Sequence, residues 1–255
     1  MKKIKLLFTP IIILGTVLQI AAFGQHNLSG ENKGETEKNI QLPPPRFDSE
    51  TSVEEALKLR RSTREYTDEP LSISDISQIL WAAQGITKKK DEPSKYWLEK
   101  YEYQGGYRTA PSAGALFPME LYLVVGNVEG LSEGVYKYIP KNHSIKKVLE
   151  GNKIMAVHDV ALKQKAISDA QVLLIMAGVY ERTEAKYGER AQRYVHIEVG
   201  AICQNVYLQG ISLGIGTVMI GAFKDEPLKE VLQLPEEEHP LGIMPLGRMP
   251  EEGEK

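Results

Sequence analysis

Hydrophobic residues recur along the chain at two spacings, one typical of helices and one typical of strands. Apolar positions three or four residues apart predict helices over 74–84, 153–166 and 194–211. Nearly unbroken apolar runs predict buried strands over 119–125 and 171–179, and shorter runs predict strands over 135–139, 215–220 and 241–246. The run at 135–139 follows Gly134 and is expected to pair in antiparallel fashion with 119–125.

Residues 1–24 have the pattern of an export signal. Three lysines precede an apolar run at 6–22, and Ala22-Phe23-Gly24 is a small-x-small cleavage pattern. These features predict cleavage after Gly24 and a mature protein in the periplasm or the extracellular space. The alternative is an uncleaved membrane anchor, because the apolar run approaches the roughly 20 residues that span a bilayer.

The segment at 25–48 is polar and contains Gly30, Gly34 and three consecutive prolines at 43–45. This composition predicts a flexible or extended linker. The folded domain is expected over 49–250, and residues 251–255 are expected to form a solvated tail. Ser52 followed by Glu55 predicts the capped start of the domain's first helix.

Composition narrows the functional classes. The 255 residues are 42% hydrophobic and 25% charged, which is typical of a globular protein with a sizeable core. A formal net charge of -3 provides no basic surface of the kind that nonspecific nucleic-acid binding requires. One cysteine and five scattered histidines allow no intrachain disulfide and no ligand cluster at zinc-site spacing. We therefore expect neither a nucleic-acid partner nor a metal.

A cluster of arginines and hydroxyls follows the first predicted helix. Arg60, Arg61 and Arg64 flank Ser62 and Thr63. A guanidinium group presents a planar fork that matches two phosphate oxygens, and a neighbouring hydroxyl adds a short donor. The cluster is therefore a candidate site for an anionic phosphate. The alternative is a solvated charge run that is favoured electrostatically at the C-terminal end of a helix.

Residues 108–118 form a second candidate site, because small residues lie between Pro111 and Pro118. Such a stretch lets the backbone approach a flat ligand closely, although a tight turn before the next strand has the same composition. The aromatic stretch before it, 88–107, predicts a loop with a short helix around 96–103. Its aromatic residues either line a site or, in the simpler interpretation, cover the core; they are Trp97, Tyr101 and Tyr103.

Two other features are interpreted as structural. Cys203 lies inside the longest predicted helix, where a buried and inert thiol is expected. Gly210, Gly214 and Gly216 superficially resemble a dinucleotide fingerprint, but they follow a helix and precede a strand. That fingerprint requires the opposite order, so the sequence excludes it here.

In order and spacing, these segments resemble the nitroreductase superfamily of FMN-dependent oxidoreductases, and within it the SagB/ThcOx-type azoline-oxidising peptide dehydrogenases. The resemblance spans residues 57–249. The motifs that carry it are Arg60-Arg61-Ser62-Thr63-Arg64, the stretch 111–122, Lys186-Tyr187-Gly188-Glu189-Arg190, Arg193-Tyr194 and Ile220-Gly221-Ala222-Phe223. The resemblance implies an α+β, nitroreductase-like fold with a central, mostly antiparallel sheet flanked by helices. It also implies an intertwined homodimer with FMN at the interface.

The resemblance assigns the FMN phosphate to the arginine cluster. Arg60, Ser62 and Arg64 would hold the phosphate, Arg61 would contact the phosphate or the ribityl chain, and Arg248 would join from the C-terminal end of the domain. The remaining assignments concern the flavin ring. Pro111, Ser112, Ala113 and Gly114 of the second subunit would pack on it, Gln164 would face its pyrimidine edge, and the backbone at Ile220 and Gly221 would reach its N5 and O4 side.

Lys186 and Tyr187 match the Lys-Tyr pair of azoline oxidases, which the resemblance implies for proton removal. The alternative is a surface pair at the start of a helix. Two features depart from the SagB/ThcOx pattern. Glu198-Val199 is followed by Gly200-Ala201 where a Gly-His pair is common, and an export signal is unusual for a branch that serves biosynthetic complexes.

Two functional hypotheses follow. The first is an oxidoreductase that transfers a hydride between FMN and a small organic or peptide substrate by a ping-pong mechanism, with NADH or NADPH as a candidate electron donor. The second is a non-catalytic flavin-binding carrier or sensor of the cell envelope, which the absence of a recognisable nucleotide fingerprint favours.

Overall fold

A computed structural model describes residues 39–250. The predicted export signal at 1–24, the linker up to residue 38 and the tail at 251–255 lie outside the described residues. The strands are β1 (Ile40–Gln41), β2 (Leu71–Ser72), β3 (Ile86–Lys88), β4 (Tyr107–Arg108), β5 (Met119–Val125), β6 (Val128–Glu129), β7 (Gly134–Ile139), β8 (Ser144–Glu150), β9 (Val172–Gly178), β10 (Ile215–Thr217) and β11 (His239–Arg248). The helices are α1 (Val53–Leu59), α2 (Ile73–Gln84), α3 (Ile154–Val160), α4 (Lys165–Ser168), α5 (Tyr180–Tyr187), α6 (Ala191–Leu213) and α7 (Asp225–Leu232).

The main sheet has seven strands in the order β1-β8-β7-β5-β9-β11-β10, and each adjacent pair is antiparallel. The interior strand β9, next to the central strand β5, is buried at every position. Alternate side chains of β5 enter two separate cores, with Leu121 and Leu123 on one face and Tyr122 and Val124 on the other. This is the two-residue period expected of a strand that is covered on both faces.

Helices cover both faces of the sheet. The core that contains Leu123 is completed by α2 and α6, for example through Ile79 and Ile202. The core that contains Val124 is completed by α3 and α7, for example through Val157 and Leu228. The expected α+β architecture with an antiparallel sheet flanked by helices is therefore confirmed.

Local sequence signals account for several helix ends. The Ser52 hydroxyl accepts a hydrogen bond from the backbone N–H of Glu55 at 3.0 Å, which caps the start of α1 as predicted. At the other end of the domain's longest helix, α6, Gly214 adopts a left-handed conformation with φ 67°. Cys203 lies buried within α6 with its Sγ 3.7 Å from the Met176 sulfur, as expected for an inert thiol.

Three predictions about local structure were wrong, and one strand was not predicted. Residues 39–48 are not a flexible linker, because β1 forms an edge of the sheet by pairing with β8, and Leu42 is buried. The helix predicted over 153–166 is interrupted by Leu162 and Lys163, which both have φ 57°. No helix forms around 96–103, and the strand β8 was missed because its charged side chains disrupt the apolar pattern.

Within residues 39–250, no helix is both long and apolar enough to cross a membrane. In the same part of the chain, no cluster of three or more His, Cys, Asp or Glu side chains has the arrangement of a metal site.

Candidate functional site

The arginine cluster lies directly after α1, beside the edge strand β10. The backbone N–H of Thr63 donates to the Thr217 carbonyl at 2.9 Å, which joins the cluster to the sheet. Within residues 39–250, none of the three guanidinium groups of Arg60, Arg61 and Arg64 forms an ion pair. The cluster therefore concentrates positive charge that no described acidic side chain neutralises.

Tyr207 of α6 contacts two residues of the cluster. The Arg60 guanidinium lies over the Tyr207 ring, 5.1 Å from its centroid. The Tyr207 hydroxyl lies 3.4 Å from the Ser62 hydroxyl and accepts a hydrogen bond from the backbone N–H of Met219 at 2.8 Å. Arg61 instead donates to the carbonyls of Lys58 and Arg60, as a cation at a helix C-terminus does.

The chain that follows β10 connects the cluster to Gln164. The Gln164 side chain donates to the carbonyl of Ala222 at 2.9 Å. Thr217 and Ala222 are five residues apart, so the cluster and Gln164 are anchored to points at most about 18 Å apart. The structure thus brings Gln164, Gly221 and the arginine cluster to one run of backbone, 217–222.

Ile220 and Gly221 differ in whether their backbone N–H groups are free to bond a ligand. Ile220 exchanges both backbone hydrogen bonds with Ile243 of β11, at 2.9 and 3.0 Å. Gly221 is exposed, its N–H has no hydrogen-bond partner among residues 39–250, and a Cβ placed on it would meet no atom within 4 Å. Of the two residues, Gly221 therefore has the free backbone donor, whereas the N–H of Ile220 is committed to the sheet.

The turn at 111–114 lies against Lys186 and Tyr187. Gly114 has φ 65°, and a Cβ placed on it would lie 3.1 Å from both the Lys186 Nζ and the Tyr187 hydroxyl. A side chain at this position would therefore crowd both groups. Two of the sequence-derived site elements, far apart in the chain, are thus in direct contact.

Aromatic rings surround the Lys-Tyr pair. The Lys186 ammonium lies 5.1 Å from the Tyr96 ring centroid and 5.0 Å from that of Tyr187, and the Tyr187 ring lies 4.6 Å from that of Tyr194. Tyr101 and Lys100 both bond the Glu181 carboxylate, which ties the aromatic loop to α5. The pair occupies the last two positions of α5 and not the start of a helix, so the alternative interpretation misplaced it.

The arginine cluster and the turn at 111–114 lie beside different parts of α6. Glu198 lies beside the turn through Ser112, and Tyr207 lies beside the arginine cluster. Nine residues separate Glu198 from Tyr207, which corresponds to about 14 Å along a helix axis. Within one chain, no hydrogen bond, ion pair or ring contact of residues 39–250 joins the turn at 111–114 to the arginine cluster.

Arg248 occupies a different position from the one expected. Its Nη2 donates to the Asp75 carboxylate at 2.6 Å, and its Nη1 donates to the carbonyl of Leu213 at 2.8 Å. Its Nε lies 3.7 Å from Glu69. The fork of Arg248 is therefore engaged by protein groups that hold α2 and α6 to the end of β11.

Sequence reasoning missed Tyr207 and Glu198. Both lie within α6, which was predicted from its apolar periodicity alone. Glu198 offered a detectable signal, because a carboxylate rarely occupies the buried face of a helix unless it is paired. Tyr207 offered none, since a tyrosine on a half-buried helix face is common.

Comparisons with known proteins agree with the fold. The family model described as Nitroreductase family matches residues 57–248. A candidate nitroreductase of Methanocaldococcus jannaschii is 45% identical over 209 residues, which are 82% of this chain and 96% of that protein. The Escherichia coli Microcin B17-processing protein McbC is 24% identical over 132 residues, which are 50% of this chain and 48% of that protein.

Solved structures show the same architecture. A candidate nitroreductase from Ralstonia eutropha superimposes with a TM-score of 0.69 at 26% identity, covering 85% of this chain and 92% of that chain. A candidate nitroreductase from Anabaena variabilis gives a TM-score of 0.67 at 28% identity and covers 83% of this chain. This chain spans 41% of the length of the Anabaena chain.

Proposed function

Because the chain belongs to the nitroreductase family of oxidoreductases, we propose that it binds FMN and transfers a hydride between FMN and a small organic or peptide substrate. The observation that carries this proposal is the uncompensated positive charge of the arginine cluster beside the 217–222 backbone. A dianionic phosphate has the charge and the acceptor oxygens that this donor set lacks. The donors present therefore fit the phosphate end of FMN.

Each group of the cluster has a distinct role in this proposal. Arg60 and Arg64 offer guanidinium groups without an acidic partner among the described residues, although the Arg64 Nη1 donates to the Ser62 carbonyl at 3.5 Å. The Ser62 hydroxyl adds a short donor. Tyr207 holds Arg60 and Ser62 in place through its ring and its hydroxyl. Arg61 contributes charge while its fork bonds the end of α1. Arg248 serves mainly to hold the elements beneath the site, because Asp75 engages it.

The remaining residues would orient the flavin ring and the substrate. FMN, when bound, supplies two-electron hydride exchange. The free N–H of Gly221 would donate to the ring edge that becomes more negative on reduction, and Gln164 would lie at the pyrimidine edge. Pro111, Ser112, Ala113 and Gly114 would cover the ring from a second subunit, which places the Lys186-Tyr187 pair beside the reacting atoms.

Lys186 and Tyr187 would move the proton that accompanies hydride transfer. Their polar atoms converge on Gly114, the Tyr96 ring lies beside the Lys186 ammonium and the Tyr194 ring lies beside the Tyr187 ring. Such a pair suits removal of a proton from a ring that is being aromatised. The relationship to McbC, a microcin-processing protein, supports an azoline-containing peptide as one substrate class.

A homodimer is the assembly that this proposal requires. Exposed apolar side chains on α1 and α6 support it, because Val53 is 65% exposed, Leu57 52% and Ile197 62%. Large apolar side chains exposed on a helix surface are typical of a face that another subunit covers. The export signal places the dimer outside the cytoplasm in this proposal, with membrane attachment if the signal is retained.

The function is tested with the purified mature chain. We expect a bound yellow flavin that NADH or NADPH bleaches under anaerobic conditions. A bound flavin that neither nucleotide nor an azoline peptide reduces would identify a carrier or sensor instead of an enzyme. A chain that binds no FMN when FMN is present in excess would contradict the proposal.

The role of Tyr187 is tested with Tyr187→Phe, which removes the hydroxyl that faces Gly114. We expect the rate of azoline peptide oxidation to fall about 100-fold or more, within the range of general acid–base effects, while FMN affinity is unchanged. Tyr107→Phe, on an exposed tyrosine of β4, is the control and should leave the rate intact. An unchanged rate in Tyr187→Phe would remove this residue from the mechanism.

A further inference from the structure

Glu198 is a buried carboxyl that the proposed hydride transfer does not use. Its residue is 2% exposed in the middle of α6, and its Oε1 accepts a hydrogen bond from the Gln84 amide at 3.0 Å. Burial raises the pKa of Glu198 to about 7, although Ser112, Gln84, Arg108 and Arg182 all favour its charged form. A carboxyl with these surroundings exchanges a proton near neutral pH.

The neighbouring Gln84 offers an acceptor for that proton. Gln84 is 1% exposed, and its Oε1 has no hydrogen-bond partner among the described residues. A buried acceptor without a partner is costly. A protonated Glu198 has an O–H group to donate, so the acid and the amide can pair through two hydrogen bonds. The unpaired Gln84 Oε1 is therefore the candidate acceptor for a proton on Glu198.

The charged groups around Glu198 come from two other elements. Arg108 of β4 and Arg182 of α5 act on it from short range. Arg182 is itself paired with Glu120 at 2.5 Å, and Arg108 donates to the Gln84 carbonyl at 3.0 Å. Arg108 and Arg182 are thus both partly engaged by other groups. Their favourable effect on the Glu198 carboxylate does not outweigh burial, which raises the pKa of Glu198.

Ser112 connects Glu198 to the turn that contacts Lys186 and Tyr187. The Ser112 hydroxyl is the first of the groups that favour the charged form of Glu198, and its oxygen accepts the backbone N–H of Phe117 at 2.9 Å. The turn between them carries left-handed residues that need support, since Ala115 has φ 54° and Phe117 has φ 44°. A change in the charge of Glu198 would therefore act on the backbone of the turn through the Ser112 hydroxyl.

We propose that Glu198 is a positioning residue, which holds a proton against Gln84 and sets the geometry of the turn at 112–117 through Ser112. When Glu198 is charged, it accepts from both Gln84 and Ser112. When it is protonated, its O–H donates to Gln84 and its bond to Ser112 weakens. The functional consequence rests on the proposed role of this turn at the flavin, but the coupling between Glu198 and the turn does not.

The coupling is measured by NMR on the purified chain carrying ¹³C-labelled glutamate and ¹⁵N-labelled amides, with and without added FMN. We expect the carboxyl carbon of Glu198, identified by its loss in Glu198→Gln, to titrate near pH 7. The backbone amide shift of Phe117 should follow the same midpoint. In Ser112→Ala, Glu198 should still titrate while the Phe117 amide becomes independent of pH.

Either of two results would overturn the proposal. One is a Glu198 carbon that titrates near the ordinary value of about 4.5 for a glutamate. The other is a Phe117 amide in the unmodified chain that does not respond as Glu198 titrates. A chain that binds no FMN would leave this experiment fully informative, so failure of the proposed function and failure of the coupling are distinguishable. In FMN-loaded protein, Glu198→Gln should also flatten the pH dependence of kcat between pH 6 and 8.

Discussion

Two groups of arginines in this protein differ in what they do with their charge. Arg60 and Arg64 lie at the surface after α1 and have no acidic partner within residues 39–250. Arg182 is 11% exposed, forms an ion pair with Glu120 and donates to the Phe117 carbonyl at 3.1 Å. The first group is available to a ligand, whereas the second is committed to holding the turn and its strand.

This difference separates binding from stability. Removing a free surface charge should weaken a ligand and leave the fold intact, because surface substitutions change stability by about 0.5 kcal/mol or less. Removing a buried, paired charge should damage the fold, because its partner is left in a poorly solvated place. The comparison would be contradicted by a variant of Arg60 or Arg64 that destabilises the fold, or by a variant of Arg182 that does not.

The largest expected effect is loss of stability in Arg182→Ala. Burial alone would raise the pKa of Glu120, but Arg182 and Lys137 hold this pKa below its usual range. Removing Arg182 should cost about 3 kcal/mol of unfolding free energy, since Lys137 remains within 3.2 Å of Glu120. Chemical denaturation measures the loss.

Arg46→Ala, at an exposed arginine outside both groups, is the matched control for that loss and should change the unfolding free energy by about 0.5 kcal/mol or less. Adding Glu120→Gln to Arg182→Ala should recover part of the stability, because it removes the unpaired carboxylate. Equal stability of Arg182→Ala and Arg46→Ala would break the comparison.

A second effect of similar size is the pH dependence that Glu198 contributes. Its pKa is raised to about 7 on folding, so the folded state binds this proton more tightly than the unfolded state. The stabilisation is complete below pH 4.5, falls as the pH rises to about 7 and is absent above it. The raised pKa corresponds to about 3 kcal/mol.

Glu198→Gln isolates that contribution. The difference in unfolding free energy between the unmodified chain and the variant should change by about 3 kcal/mol between pH 4.5 and pH 8, in favour of the variant at the higher pH. Denaturation curves at both pH values provide the measurement. A constant difference would show that Glu198 does not take up a proton on folding.

The smallest predicted effect on the molecule, and the most specific, is loss of FMN affinity in Arg60→Ala and Arg64→Ala. Each variant should lose charge-assisted phosphate bonds of about 1.5–3 kcal/mol, or roughly ten- to a hundredfold in Kd. Thermal denaturation without FMN should show both variants as stable as Arg46→Ala. A variant that unfolds early but retains FMN affinity would place its arginine in the structural group.

How far the sequence predicted the molecule depended on the range of the interactions involved. The strand β9 and the cap at Ser52 were readable because a few neighbouring residues determine them. Glu198 and Gln84 are 114 residues apart, and Arg248 and Asp75 are 173 apart. No local pattern records such pairs, so the sequence identified Arg248 as a cation but not what it binds.

Long-range contacts of the candidate site were likewise not predictable from the sequence. The arginine cluster and the Lys186-Tyr187 pair were found as short motifs, and the resemblance gave them roles. Their surroundings required the fold, since Tyr207 reaches the cluster from α6 and Gly114 meets the pair from the turn. The break in the helix predicted over 153–166 was also hidden, because leucine and lysine rarely adopt the left-handed backbone that Leu162 and Lys163 have here.

The most direct test of the phosphate site compares FMN with riboflavin, which has the same ring and ribityl chain but no phosphate. Titrated into the flavin-free chain, FMN should bind at least tenfold more tightly than riboflavin. Arg60→Ala and Arg64→Ala should each reduce that preference while leaving riboflavin affinity unchanged, and Arg46→Ala should preserve it. Equal affinity for FMN and riboflavin in the unmodified chain, or a preference that survives both substitutions, would contradict the assignment of the arginine cluster to phosphate.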